Sequence, residues 1–91
     1  MPTVTVNISS TKGFRVEDKI NLPNTIEPYS LYKEIAKLIK KYTTITVDNK
    51  PPYEILVFID NVDLMIYMID NKEINVDDSS VIDVILIRYG G

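Results

Sequence analysis

The centre of the chain reads Ile55-Leu56-Val57-Phe58-Ile59, five apolar residues in an unbroken run. Five residues are enough for a strand, and a run without alternation is typical of a strand in the middle of a sheet. We therefore predict a central strand here. The Asp60-Asn61-Val62-Asp63 segment that follows is typical of a turn, and we expect a further short strand around residues 64–69 and another turn at residues 70–72.

An amphipathic helix precedes this strand. Apolar residues recur with the spacing i, i+4, i+7, i+8 and i+11, which places them on one helical face. They are Leu31, Ile35, Leu38, Ile39 and Tyr42. Ser30 is predicted to be the N-cap of this helix, which we expect to end near residues 42–44.

The flanking segments supply the remaining strands. Residues 3–8 alternate apolar and polar, and residues 14–22 repeat that pattern after a turn, so a hairpin is predicted, with a bulge or a strand end at Asp18. Residues 81–87 form the last strand. A right-handed crossover through the helix would place the first and last strands side by side. We predict an α+β fold of the β-grasp (ubiquitin-like) type, a mixed five-stranded sheet crossed by one main helix.

The composition limits what this domain can do alone. The 91 residues include no cysteine and no histidine, which removes thiol and imidazole nucleophiles, the commonest general base and most transition-metal sites. We therefore expect a protein that is not an enzyme, and we expect no bound cofactor or metal. Asp60, Asp63, Asp77 and Asp78 are interpreted as turn-forming residues rather than as metal ligands.

The charges are unevenly distributed. Residues 1–53 carry eight Lys/Arg and five Asp/Glu, whereas residues 54–91 carry two Lys/Arg and eight Asp/Glu, which gives a net charge of −3. The acidic second half would repel nucleic acid and attract a partner with a basic cleft. The N-terminus does not resemble a signal peptide, and the apolar runs are far shorter than the about 18 residues of a membrane span. We expect a cytoplasmic protein that binds neither nucleic acid nor membrane.

The last strand leads into Gly90-Gly91. Two glycines without side chains can pass through a narrow channel and leave a terminal carboxylate sterically free. If a partner adenylates this carboxylate with ATP, its carbonyl carbon becomes open to attack by a thiolate, a persulfide or an amine. The products are a thiocarboxylate or an isopeptide bond, and neither needs a catalytic side chain on this protein. We divide the chain into a domain, residues 1–87, and a flexible activation tail, residues 88–91.

Four stretches resemble the ubiquitin-related modifier family, which is related to the molybdopterin and thiamine sulfur carriers. They are residues 20–29, residues 38–41, residues 55–64 together with Asp70, and residues 80–87 followed by Gly90-Gly91. The resemblance implies a β-grasp fold, an E1-like activating enzyme and a sulfur donor protein. It also implies two outputs, thiolation of tRNA wobble uridine and attachment to lysines of target proteins, with the proteasome as a further partner. Gly91 would be the activated residue, and Gly90, the adjacent residue without a side chain, would leave it sterically accessible.

The last strand also offers residues for recognition. Asp83 is expected to face solvent, since a buried unpaired carboxylate is costly, so Ile85 and Ile87 should share its face while residues 82, 84 and 86 face the core. Ile85 and Ile87 could form a docking patch for the activating enzyme, or could merely favour a strand. Arg88 and Tyr89 lie in the tail, where Arg88 could pair with an acidic groove of that enzyme.

Two other functions remain open at this point. One is a pure sulfur carrier for molybdopterin or thiamine synthesis, which would form a thiocarboxylate and no conjugates. The other is a β-grasp binding subunit that uses its sheet face and is not activated at Gly91.

Overall fold

The computed structural model describes residues 1–11, 13–42 and 53–88. These residues form seven strands and two helices in the following order along the chain: β1 (Thr3–Ser10), β2 (Arg15–Asn21), β3 (Thr25–Ile26), α1 (Pro28–Tyr42), β4 (Tyr53–Ile59), β5 (Val62–Asp63), α2 (Leu64–Asp70), β6 (Ile74–Asn75) and β7 (Val81–Arg88).

The main sheet has five strands in the order β2-β1-β7-β4-β5. β7 lies parallel to β1 and antiparallel to β4, so the sheet is mixed. The first and last strands are therefore neighbours, as predicted. With α1 packed on one face, this is the α+β arrangement of a β-grasp fold, which confirms the prediction. A small second sheet, β3-β6, was not predicted.

The core lies between α1 and one face of the main sheet. The predicted helical stripe supplies Leu31, Ile35, Leu38 and Ile39, all buried, and Tyr42 packs against their edge. The sheet contributes every second residue of its three inner strands: Val4, Val6, Ile8, Val57, Ile59, Ile82, Val84 and Leu86. Each of these aliphatic side chains contributes about 1.5–3 kcal/mol when it leaves water completely, so the one helix and one sheet face depend on each other.

α1 begins earlier than the sequence predicted. Its first residue is Pro28, and Ser30 is an exposed residue of the first turn rather than the N-cap. Proline suits the first helical position because its φ angle is already helical and its missing N–H would have no helical partner there. The Leu31 N–H donates to the carbonyl of Glu27 at 3.0 Å, which places the cap before Pro28.

The predicted strand around residues 64–69 is wrong, because this segment is helix α2. Asp63 caps it by accepting a hydrogen bond from the Met65 N–H at 2.9 Å. Asn71 ends it in the left-handed conformation, with φ 50°. Leu64 is buried, and Tyr67 and Met68 pack against the core. This i, i+3, i+4 spacing outweighs the β-branched and aromatic composition of the segment.

The bulge or strand end predicted at Asp18 is also wrong. β1 and β2 pair without interruption, and Asp18 stands opposite Val6 between the half-buried Val16 and Ile20. Its carboxylate accepts hydrogen bonds from the Tyr42 hydroxyl and, at 3.2 Å, from the Lys41 ammonium group. The tyrosine above all, then the Lys19 N–H, which donates to the same carboxylate at 2.7 Å, and then Lys41 lower the pKa of Asp18 to about 2. The Asp18 carboxylate thereby joins β2 to the last two residues of α1, Lys41 and Tyr42.

Candidate functional site

β7 is the middle strand of the sheet and leads directly into the predicted tail. It is bounded by β1 on one side and by β4 on the other, and its last residue, Arg88, is in register with Tyr53. The backbone of Arg88 is therefore placed in the sheet. The predicted recognition residue Tyr89 and the predicted activation residues Gly90 and Gly91 lie outside the described residues.

The side chains of β7 alternate between the two faces as the sequence predicted. Ile82, Val84 and Leu86 are at most 3% exposed and face α1. Asp83, Ile85 and their parity mates Val81 and Ile87 are half-buried on the opposite face. We call this second face, which α1 does not cover, the open face. The alternation places both predicted docking isoleucines on it.

Two apolar residues of β4 extend the isoleucine pair. Leu56 stands opposite Ile85 and Phe58 stands opposite Asp83 in the antiparallel register, and both are half-buried. Residues directly opposite on one face have Cβ atoms about 5 Å apart, so these side chains adjoin. We call Leu56, Phe58, Ile85 and Ile87 the open-face patch.

Leu56 and Phe58 were missed because an all-apolar strand was interpreted as covered on both faces. The signal was nevertheless present in the sequence. One long helix can cover only one face of a sheet, so the other apolar residues of β4 must be left at its second face.

The other half of the open face is polar. β1 contributes Asn7 and Ser9, β2 contributes Arg15 and Glu17, and the Asn7 amide donates to the Asp83 carboxylate at 3.3 Å. These side chains and Phe58 surround a depression of about 630 Å³. The open face thus combines an apolar half, on β7 and β4, with a polar and charged half, on β1 and β2, and protein interfaces likewise contain both apolar and polar area.

The four acidic turn residues all accept hydrogen bonds: Asp63 and Asp77 bond locally, as turn formers do, whereas Asp60 and Asp78 accept from residues distant in the sequence. Asp60 accepts from the Val81 N–H at 2.9 Å, Asp63 caps α2, and Asp78 accepts from the Thr3 N–H at 3.0 Å. Asp77 accepts from the N–H and the hydroxyl of Ser79, which lowers the pKa of Asp77. Within residues 1–11, 13–42 and 53–88, no three acidic side chains are grouped closely enough to hold a metal ion.

Neither helix in the described part of the chain has the length and apolar character needed to cross a membrane.

The fold defines a class of protein, a small α+β domain with a mixed five-stranded sheet in β-grasp order. Comparison of the chain with models of known protein families, with curated protein sequences and with solved structures finds no match in any of the three. Any narrower assignment therefore depends on the sequence motifs and on the open face.

Proposed function

We propose that this protein is a ubiquitin-like modifier and sulfur carrier that acts through the carboxylate of Gly91. The observation that carries the proposal is the position of β7, a central strand that presents Ile85 and Ile87 on the open face and leads, two residues later, into Gly90-Gly91. A docking patch on the strand that Gly90-Gly91 follow in the sequence would allow a partner to hold the domain and receive its tail together.

The chemistry begins at the partner. A Gly91 carboxylate oxygen attacks the α-phosphorus of ATP in an E1-like activating enzyme, and pyrophosphate leaves. The resulting acyl adenylate has a good leaving group, so a sulfur or nitrogen nucleophile can attack the carbonyl carbon and release AMP. Gly90 and Gly91 suit this step because a Cβ at either position would narrow access to that carbon.

Recognition is assigned to the open-face patch and to the tail. Ile85 and Ile87 supply apolar contact area, while Arg88 and Tyr89 guide the tail into the active site of the enzyme. The excess of carboxylates in residues 54–91 favours an activating enzyme with a basic surface around its docking site. None of these interactions requires a catalytic side chain from this protein.

Two products are expected after activation. Sulfide would displace AMP directly to give a thiocarboxylate for tRNA thiolation, whereas a persulfide on a sulfur donor protein would displace AMP to give an acyl disulfide, which a second thiol cleaves to the thiocarboxylate and a disulfide. Lysine amines of target proteins would displace AMP to form isopeptide bonds with Gly91. Both products follow from the same acyl adenylate, so the donor or acceptor that is present decides between them.

Intact-mass spectrometry tests the sulfur-carrier half of the proposal. The protein is incubated with ATP, a sulfide donor and the cognate activating enzyme, and a mass gain equal to the exchange of one oxygen for one sulfur is expected. Diglycine remnants on lysines of other proteins, found after proteolysis of a cell extract, test the conjugation half. A thiocarboxylate without conjugates would identify a pure sulfur carrier for molybdopterin or thiamine synthesis.

A matched pair of variants separates the tail from the domain. Deletion of Gly90 and Gly91 should abolish both products, whereas Thr25→Ser, an exposed change on the separate two-stranded sheet β3-β6, should preserve both. The depression on the open face supports a second candidate, a β-grasp binding subunit that is not activated at Gly91. Full function in the deletion variant would favour that candidate and refute the proposed activation.

A further inference from the structure

The second helix exposes three large apolar side chains. Met65 and Ile66 are each 57% exposed and Ile69 is 77% exposed. Ile69 lies three positions after Ile66 and four after Met65, so the three side chains adjoin on one side of the helix. We call Met65, Ile66 and Ile69 the α2 ridge.

Folding of α2 does not explain this ridge. The helix is anchored from its other side, where Leu64 is 3% exposed and Tyr67 and Met68 pack against the core. At exposed helical positions, straight-chain polar residues are at least as favourable as isoleucine, whose branched Cβ loses rotamer freedom in a helix. A single exposed apolar residue is ordinary, but a cluster of three on one short helix is typical of a binding surface.

The chain on both sides of the ridge is acidic. Asp63 immediately precedes α2, Asp70 is its last residue, and Glu73 follows two residues after Asn71. Lys72 is the only basic residue between residues 54 and 87. An apolar surface with carboxylates at both ends is complementary to an apolar strip edged by Lys and Arg side chains, and it disfavours partners with acidic edges.

A second copy of the chain fits the ridge poorly. In a two-fold dimer the same surface of each copy faces the other. Contact through the ridge would therefore place the carboxylates of one copy against those of the second copy. The basic side chains of α1 offer no apolar strip in the described part of the molecule, since the exposed positions between Ser30 and Lys41 are all polar or charged. An anionic membrane surface would also be repelled by the carboxylates.

We propose that the α2 ridge is a second docking surface, and that its occupant is a different protein presenting an apolar strip flanked by Lys and Arg. α2 contacts α1 and β4 on the covered side of the sheet, whereas the open-face patch lies on the other side. Both surfaces can therefore be occupied at once, so a second protein binds the domain while an enzyme holds β7. The inference does not depend on activation of Gly91.

The test is a nuclear magnetic resonance titration of the full chain with two designed helical peptides. Both peptides carry a leucine strip, flanked by lysines in one and by glutamates in the other. The leucine–lysine peptide should shift the methyl resonances of Met65, Ile66 and Ile69 and should bind about tenfold more tightly than the leucine–glutamate peptide. Ile69→Lys should weaken binding of the leucine–lysine peptide by about tenfold.

Phe14→Lys provides the matched control. Phe14 is a 38% exposed apolar residue just before β2, the strand at the edge of the sheet opposite to β5, so the substitution adds the same charge away from the ridge and should change the affinity less than about twofold. Both sites are exposed, and unchanged thermal unfolding of each variant confirms that the fold is intact.

Three results would overturn the proposal. Shifts centred on Phe58 and Ile85 would assign binding to the open face. Equal affinity for the two peptides, or no binding of either, would show that the carboxylates beside the ridge do not select a basic partner. A dimer of the free chain that Ile69→Lys dissociates would assign the ridge to a second copy.

Discussion

Val84 and Ile85 are adjacent residues on β7 whose side chains point to opposite faces, so truncating Val84 to alanine should mainly lower stability, whereas truncating Ile85 should mainly weaken docking. Val84 is 0% exposed. Val84→Ala removes two carbons, each contributing about 0.8 kcal/mol when buried, and leaves a cavity in a packed core. The free energy of unfolding should fall by about 2–3 kcal/mol.

Ile85→Ala removes one carbon more than Val84→Ala but should destabilise the fold less. Ile85 is half-buried on the open face, so its side chain gains only about half of the free energy of transfer from water when the protein folds. Its truncation also leaves no enclosed cavity. The free energy of unfolding should fall by about 1 kcal/mol. If the open-face patch docks the activating enzyme, the same substitution should raise the KM for this protein by about tenfold, as loss of a central apolar contact does.

Two measurements on each variant check this pair. Urea unfolding gives the stability, and ATP–pyrophosphate exchange by the activating enzyme gives the KM for the modifier. Val84→Ala should retain the original KM at temperatures where it is fully folded. The reasoning would be refuted if Ile85→Ala were the more destabilising change, or if it left the exchange kinetics unaltered while Val84→Ala impaired them.

Two further predictions concern stability. Because the folded pKa of Asp18 is about 2, below its ordinary value of 3.8, its ionised form stabilises the fold above about pH 4, and this contribution is lost as the pH falls to about 2. Asp18→Asn should therefore flatten the pH dependence of urea unfolding across this window; an unchanged profile would show that the contacts of Asp18 with Tyr42 and Lys41 have no net effect. Asp63→Ala removes the cap that accepts from the Met65 N–H and should lower the free energy of unfolding by about 1 kcal/mol, whereas Asp63→Ser should retain most of it; equal losses in thermal melts would contradict the capping assignment.

Much of the fold was predictable because single residues fix the periodicity. Asp83 sets the parity of β7, since a carboxylate without a charged partner is excluded from the core, and the buried side chains of residues 82, 84 and 86 follow from it. The stripe from Leu31 to Tyr42 fixes the buried face of α1 in the same way. The side-by-side placement of β1 and β7 then follows from the handedness of the crossover.

The remainder depended on tertiary context. The composition of residues 64–70 suits a strand, and only the pair of caps, Asp63 and Asn71, together with the place for Tyr67 and Met68 beside the core, makes a helix of them. The two-residue pairing of β3 with β6 joins residues that are 48 and 50 positions apart, and no local pattern predicts such a contact. The open-face patch was half predicted, because Leu56 and Phe58 look the same in sequence whether or not a second layer covers them.

The central place of β7 also has a consequence for biosynthesis. The strands on either side of it, β1 and β4, are both translated earlier, yet neither touches the other in the finished sheet. Until residue 88 has left the ribosomal exit tunnel, the nascent polypeptide can form its hairpin and α1 but lacks the strand that joins the two halves. Stalled translation products that end before β7 should therefore be open to chaperones and proteases, and the domain should become resistant to digestion in a single step when that strand emerges.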